Sequence, residues 1–341
     1  MRIGFTYNVR HIEVPDIKNP QYVKEAEFDT QETIDGIASA LRELGHEVIF
    51  VEANEDCFEK FRKLRGTIDM VFNIAEGING VDREAHIPAI LEMLGIPYTG
   101  PKPLGYALGL NKAKAKEVFQ ANGVATPKWL LVNSGEEISN ANLSFPAIAK
   151  PVGEGSSKGI CAKNLVADKD SLVKLTKELL EEHRQAVLIE EYLPGREFTV
   201  AMLGNPVKVL PIIELKFNDL PEGMPKFDHY EAKWVYENPN RPSPLVCPAE
   251  EGTTLGDKIK DICLRAFQAL GMEDWARIDV RLDVKGEPSI IEINCPPGIM
   301  PDPKQSSRFP LAARTAGISY PQMLETILIS ACKRYNIAYT K

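Results

Sequence analysis

The sequence predicts an α/β protein whose N-terminal third forms a parallel sheet and whose remainder is of mixed α+β character. Three observations carry that reading. Residues 1–100 alternate strand-like apolar runs with helical stretches, the pattern of a parallel sheet with helical crossovers. The middle of the chain switches to short strands flanking single helices. Near the C-terminal end, ARIDVRLD and PSIIEIN form two strand-like runs joined by a Lys285-Gly286 turn, which reads as an antiparallel hairpin.

The elements follow in order. RIGFTY is the first strand. Residues 30–44 form a helix, with Thr30 as N-cap and Gly45 at its end. HEVIFVE is the second strand and, after a short helix, TIDMVFNIAEG the third. Residues 82–94 form another helix, followed by a short strand at Tyr98. GPKPLG (100–105) reads as a linker. A helix over 111–122 precedes the strands KWLLV, PAIAK and GICAKN, a helix over 168–182, and the strand AVLIEEYL. REFTVAML and PVKVLPIIEL continue as strands. Residues 216–244 hold five prolines and little periodicity, as expected of a functional loop over a site or a disordered segment. Helices over 252–270 and about 320–335 flank the hairpin. The expected domains are 1–100, 101–186 and 187–341, with 216–244 as a lid loop.

Composition narrows the function. A chain of 341 residues with 44% hydrophobic content has ample core for two or three domains. The net charge of −8 argues against nucleic acid as a partner. Six cysteines (57, 161, 247, 263, 295 and 332) and five histidines are scattered without metal-site spacing, which excludes a zinc site or disulfide framework. Cys161, Cys263, Trp129 and Trp275 read as core. The N-terminus lacks a signal-peptide layout, and no apolar run approaches the roughly 18 residues of a membrane span. The expectation is a cytoplasmic protein with no membrane partner.

Three segments carry chemistry. In the hairpin, Asp279 and the pair Glu292 and Asn294 converge, because side chains two residues apart on a strand share a face. Oxygen donors gathered in this way suit Mg²⁺, which completes its shell with phosphate oxygens and water. In KPVGEGSSKGI (150–160), glycines bracket Ser156 and Ser157 behind Lys150. Such a loop can close backbone N–H groups around phosphate, and it can equally be an ordinary glycine hairpin. In IEEYLPGREF (189–198), Glu190, Glu191 and Glu197 stand at strand ends, where they can accept an adenine amine or ribose hydroxyl or lie in solvent as surface charge.

In this order the three segments resemble the ATP-grasp superfamily and, more closely, the D-alanine–D-alanine ligase family. GIPYTG, the lysine of NK at 111–112, EGSS, GREFTV, YEAK, RIDV and P.AAR.AG occur in the family's order. The resemblance implies an ATP-grasp fold in which two α+β subdomains enclose ATP. It implies a ligase that joins two D-alanines through an acyl phosphate for a cell-wall precursor, with two Mg²⁺ ions (or Mn²⁺), as a homodimer. By the same resemblance, Lys112, Lys150, Glu154, Ser156, Ser157 and Lys233 contact the ATP phosphates, Glu190, Glu191 and Leu193 hold adenine, and Glu197 holds ribose. Asp279, Glu292 and Asn294 ligate the metals. Arg277 stabilises the acyl phosphate, Gly298 offers a backbone N–H near the oxyanion, and Ser156 covers the bound substrate. Ser307, or Ser306 beside it, binds the acceptor's carboxylate.

The sequence departs from the family pattern at the substrate end. Glu27 is the candidate for the family's N-terminal glutamate, with Glu32 second. Glu76 and Arg83 occupy the region of the family's HGxxGEDG loop, and His86 reads as packed or at the surface. Trp234 follows YEAK where a smaller ring is usual and adjoins the acceptor. Arg308 reads as a surface residue or as a grip for a substrate carboxylate, the surface reading being preferred. Two alternatives accompany the D-alanine reading: a ligase of the same chemistry for other amino acids or small carboxylates, and an inactive ATP-binding regulator.

Overall fold

Strand β1 (Arg2–Tyr7) is the centre of a parallel sheet, paired in register with β2 (Glu47–Glu52) on one side and β3 (Met70–Asn73) on the other. This computed structural model describes residues 1–12, 25–140, 143–232, 243–305 and 307–340, so Lys233, Trp234 and Ser306 lie outside the described residues. Period-2 alternation sends Met70 and Phe72 to one face and Val71 to the other. On the first face lies α1 (Gln31–Glu43), whose Thr30 hydroxyl accepts from Thr33 N–H at 3.2 Å as an N-cap. On the second face lie α2 (Cys57–Leu64) and α3 (His86–Leu94).

The helix expected over 82–94 is divided. A 3₁₀ turn at Arg83–Ala85 precedes α3, because Pro88 has no N–H to bond back to residue 84 and sits comfortably only in a helix's first turn. The GPKPLG linker is also shorter than expected: Pro103 is the first residue of α4 (Pro103–Leu110), where its fixed φ suits helix initiation. Helix α5 (Lys112–Ala121) follows with Asn111 as N-cap.

The central segment is a four-stranded antiparallel sheet in the order β4-β7-β5-β6, built from Trp129–Val132, Val187–Glu191, Ala147–Pro151 and Leu165–Val166. Helix α6 (Lys169–His183) covers one face through Leu172, Leu175 and Leu179. GICAKN is not a strand. The Asn164 side chain donates to Ala149 O (2.6 Å) and Gly159 O (2.7 Å) and accepts from Cys161 N–H (2.8 Å). These side-chain bonds hold a 3₁₀ turn over Ala162–Asn164 in place of a ladder. Cys161 and Trp129 are half-buried, not core; Cys263 and Trp275 are fully buried.

The C-terminal sheet runs β11-β10-β8-β12-β13 (Leu245–Val246, Ile213–Leu215, Glu197–Leu203, Trp275–Leu282, Pro288–Asn294), with β9 (Lys208–Val209) on β8. Phe198, Val200, Met202, Ile278 and Val280 face α7 (Gly252–Ala269). The opposite face, through Ala201, Leu203 and Trp275, shares a core with α1, β1, β3, α8 (Arg308–Thr315) and α9 (Tyr320–Arg334). Helix α8 has no counterpart in the sequence reading; it is short and carries Pro310 in its first turn. Residues 216–232 are not structureless. Phe227 and His229 are buried, and Tyr230 N–H donates to Ile160 O at 2.9 Å.

Candidate active site

The odd-numbered face of β12 changes character along its length. Trp275 lies in the core, and Arg277, Asp279 and Arg281 then line up on the same face. Their partners on β8 are Ala201, Thr199 and Glu197. On β13 the register shifts beside Asp279 and Val280, so that Ile290 pairs with Val280 but Glu292 pairs with Asp279 and Asn294 with Arg277. This β-bulge decides the chemistry. An unbroken alternation would put Glu292 and Asn294 on the α7 side with Ile290; the extra residue turns both onto the face of Asp279.

Asp279 accepts from Thr199 Oγ1 (2.5 Å), Arg277 Nε (3.2 Å), Arg277 Nη2 (3.1 Å) and Asn294 Nδ2 (3.1 Å). Burial works against its charge, but Arg277 and Arg308 with these hydrogen bonds hold the carboxyl below the usual range. Glu292 faces Lys112 Nζ at 3.6 Å. Among the described residues no three His, Cys, Asp or Glu side chains surround one point. The donor set is two carboxylates and an amide, all oxygen, with Arg277 and Lys112 supplying the neutralising charge. That set fits a hard divalent cation whose remaining ligands come from a bound phosphate.

Helix α5 presents Lys112, Ala115, Lys116 and Phe119 on one buried face, by the spacing of three and four residues. Lys116 is completely buried and was missed in the sequence, though its i+4 relation to Lys112 was the available signal. Its ammonium pairs with Glu190, donates to Thr126 Oγ1 (2.7 Å) and reaches the bulge carbonyl of Ile291 (3.3 Å). Lys150 on β5 pairs with the same Glu190. Burial opposes the Glu190 charge, but the two ammonium groups hold its carboxyl down at about 2. Burial lowers Lys116 to about 8. Glu190 is therefore not solvated surface charge.

Glu191, Leu193 and Glu197 line a small cavity with Lys150, Ser157 and Arg281. Arg281, also missed, pairs with Glu197 and donates to the Leu193 carbonyl and to Tyr192 OH at 2.8 Å. It stands on the period-2 row of Arg277 and Asp279, which was the signal for it. Burial raises Glu197 to about 7 against the pull of Arg281.

The glycine loop joins the N-terminal sheet to the central segment. Ser156 and Ser157 both hold left-handed backbone (φ 48° and 60°), which L-residues with a Cβ adopt at a cost. Lys112 Nζ donates to the Glu154 carbonyl, and the Glu154 side chain meets Lys158 (3.0 Å) and Gln185 Nε2 (2.7 Å). Glu27 accepts from Gly155 N–H at 2.6 Å and pairs with buried Arg83. Glu32 is exposed on the first turn of α1, away from the cavity. Glu76 and Glu84 lie beside Glu27. Burial and the charge of Glu27 raise Glu84 to about 8, against the pull of Arg83, Lys112 and a hydrogen bond to Glu76, and burial with the neighbouring Glu84 and Glu27 charges pushes Glu76 well up. His86 is exposed.

A larger cavity is lined by Glu27, Glu76, Ser156, Arg277, Gly298 and Ser307, among others. Nothing lies within 4 Å of a Cβ built on Gly298, so that residue borders open space. The Ser307 hydroxyl donates to Gly298 O (3.0 Å) and accepts from Met300 N–H (3.1 Å). Arg308 is not at the surface. It is 5% exposed, lines this cavity, and forks onto Asp228 at 2.7 and 2.8 Å. The larger and the smaller cavity share Ser157, Asp228 and Glu292.

Residues 107–329 match the family model described as D-ala D-ala ligase C-terminus. The chain belongs to the D-alanine–D-alanine ligase family. It is 33% identical over 295 residues to a D-alanine–D-alanine ligase of Pseudomonas entomophila, covering 86% of this chain and 85% of the relative. It is 39% identical over 308 residues to an uncharacterized protein, y4sG, of Sinorhizobium fredii, covering 88% of each. The fold matches the crystal structure of the D-alanine–D-alanine ligase from Bacillus anthracis with a TM-score of 0.71 at 24% identity, over 98% of this chain and 99% of that one. The VanG D-Ala:D-Ser ligase from Enterococcus faecalis gives 0.72 at 22% identity, over 97% and 99%. These likenesses show an ATP-grasp fold, and the structural ones extend over nearly the whole chain, so that they include the N-terminal parallel sheet that precedes it.

Proposed function

We propose that the protein is an ATP-dependent ligase that joins two D-alanines through an acyl phosphate, supplying a dipeptide for cell-wall synthesis. The observation that carries this reading is the meeting of the two cavities at Glu292 and Ser157. One has the acidic and apolar lining of a nucleotide pocket, and the other carries Arg277 and an open backbone turn at Gly298. Relatives named as D-alanine–D-alanine ligases support the choice of substrate.

A carboxylate is a poor electrophile until phosphorylated, and phosphoryl transfer depends on positioning and charge neutralisation. In this reading Glu191, Leu193 and Glu197 hold the nucleoside, while Lys112 and Lys150 face the phosphates. Bound Mg²⁺ supplies further neutralisation of phosphate charge, with Asp279, Glu292 and Asn294 as its protein ligands. Ser156 and Glu27 orient the first amino acid. Arg277 and the Gly298 N–H stabilise the charge that develops when the second amino group attacks the acyl carbon. The lysine and tryptophan of the KW pair at 233–234 and Ser306 are assigned by resemblance alone. Action as a homodimer in the cytoplasm, away from nucleic acid and membranes, completes the proposal. Among the described residues no helix is long and apolar enough to cross a membrane.

The same chemistry on a different amino acid is favoured by one observation: the buried Arg308–Asp228 pair and the crowded carboxyls of Glu76 and Glu84 line the substrate cavity together. ADP release measured with D-alanine and with a panel of other amino acids, with products identified by mass, tests both readings. D-alanine-dependent ADP release with D-alanyl-D-alanine as product is expected. ATP hydrolysis indifferent to every amino acid would overturn both readings, and ATP binding with no turnover at all would leave the inactive regulator.

A further inference from the structure

Arg281 is buried and commits its guanidinium to four acceptors from three parts of the chain. It stands directly opposite Glu197 in the β8–β12 ladder, and its Nη1 pairs with Oε2 of that carboxylate. Its Nε donates to the Leu193 carbonyl, in the connection between β7 and β8. Its Nη2 donates to Tyr192 OH (2.8 Å) and to the Lys226 carbonyl (2.5 Å). Tyr192 OH donates to the same carbonyl at 3.2 Å, and the guanidinium lies 4.7 Å from the centre of the Tyr192 ring. Glu197 is thereby left with two unlike oxygens. Oε2 is held by Arg281, whereas Oε1 accepts no hydrogen bond among the described residues, and the side chain lines the smaller cavity.

We infer that Arg281 is a positioning residue for the nucleotide's sugar, fixing Glu197 so that its open oxygen meets the ribose diol and the protein prefers ribonucleotides to nucleotides without those hydroxyls. The inference rests on the assignment of Glu197 to ribose and goes beyond it by naming what aims the carboxylate. A glutamate side chain without a partner samples several rotamers, and ordering it on binding cancels part of each hydrogen bond it makes. A guanidinium on one oxygen removes that freedom beforehand and leaves the lone pairs of the other oxygen to the ligand. The same cation opposes the burial that disfavours the charge of Glu197. Arg281 has its remaining contacts turned to Leu193, Tyr192 and Lys226, so it acts through Glu197 and does not replace it as the partner of the sugar.

A nucleotide with and without its ribose hydroxyls separates this role from a plain structural tie. ADP and 2′,3′-dideoxy-ADP, each with Mg²⁺, are titrated by calorimetry into the wild type, Arg281→Met and Arg281→Lys, with thermal melting of each to confirm folding. The wild type should bind ADP roughly tenfold or more tightly than the dideoxy form, as expected of hydrogen bonds to a charged acceptor. In Arg281→Met the ADP affinity should fall until the ratio is within about threefold, while the dideoxy-ADP affinity changes by less than about twofold. Arg281→Lys keeps the charge without the fork, so it should be intermediate, and it carries the test if the methionine variant does not fold. Equal loss of both nucleotides in a folded variant overturns the inference, as does an unchanged ratio. So does a wild type that binds the two nucleotides alike. The titrations use no amino acid, so any of these results leaves the ligase reading standing. A wild type that binds neither nucleotide overturns both.

Discussion

Lys116 is the residue on which the nucleotide end of the site turns, and replacing it with methionine tests how that end is held together. Its ammonium is completely buried and serves three acceptors: Glu190, Thr126 Oγ1 and the carbonyl of Ile291. The last belongs to the bulge that turns Glu292 and Asn294 toward Asp279. Methionine keeps the length and volume but leaves Glu190, itself 4% exposed, with Lys150 as its cation. Breaking a buried pair from one side costs about 3–5 kcal/mol. Glu190→Gln has a cost of similar size for the converse reason, since it leaves two ammonium groups without the carboxylate between them. The double variant Lys116→Met, Glu190→Gln removes one charge of each sign and should recover roughly 2–3 kcal/mol of the summed losses. Urea unfolding at pH 7 of the wild type, both single variants and the double variant measures this, with equal m-values as the check on cooperativity. Lys116→Met should also raise the ATP KM, because Lys150 loses part of the charge balance that places it. Additivity of the two substitutions within about 0.5 kcal/mol would refute the argument that the three charges act as one unit.

Three further outcomes follow from the same geometry. Arg277→Ala should lower kcat about 10²–10³-fold while ATP affinity, read by equilibrium binding, moves only a few-fold; a parallel loss of both would remove Arg277 from the chemical step. Glu84, raised from 4.5 to about 8 by burial and the charge of Glu27 and opposed by Arg83, Lys112 and a hydrogen bond to Glu76, keeps a proton in the folded state that the unfolded chain has released. Stability is therefore lost as pH rises through that window, and Glu84→Gln should be about 1–3 kcal/mol more stable than the wild type at pH 8 and near-equal at pH 5; matching pH profiles in urea titrations would contradict this. Gly298→Val places a side chain in open cavity space, since no atom lies within 4 Å of its Cβ, so activity should fall more than tenfold with the melting temperature unchanged.

Much of the site was legible because strand and helix periods are visible in sequence. Arg277 and Asp279 share a face by period 2, and the order of charged segments along the chain carried the family resemblance. Three things were not legible, each for a physical reason. The bulge opposite Asp279 and Val280 leaves no mark in PSIIEIN, although it sets which face Glu292 presents. Buried charges such as Lys116, Arg281 and Arg308 look like surface residues until their partners are known, because Glu190, Glu197 and Asp228 lie far away in sequence. Short turns held by side chains, such as the one Asn164 stabilises, mimic strands when read by apolar content alone. The elements with long, regular periods, α1, α6, α7 and α9, fell where the pattern put them, whereas proline moved the boundaries at α3 and α4.

The central claim is that a substrate carboxylate is phosphorylated before an amine attacks it. D-alanine labelled with ¹⁸O in its carboxylate, incubated with ATP and Mg²⁺, tests it directly through the isotopic content of the released phosphate. The account predicts one ¹⁸O transferred to phosphate for each dipeptide formed. Dipeptide formed alongside unlabelled phosphate would contradict it.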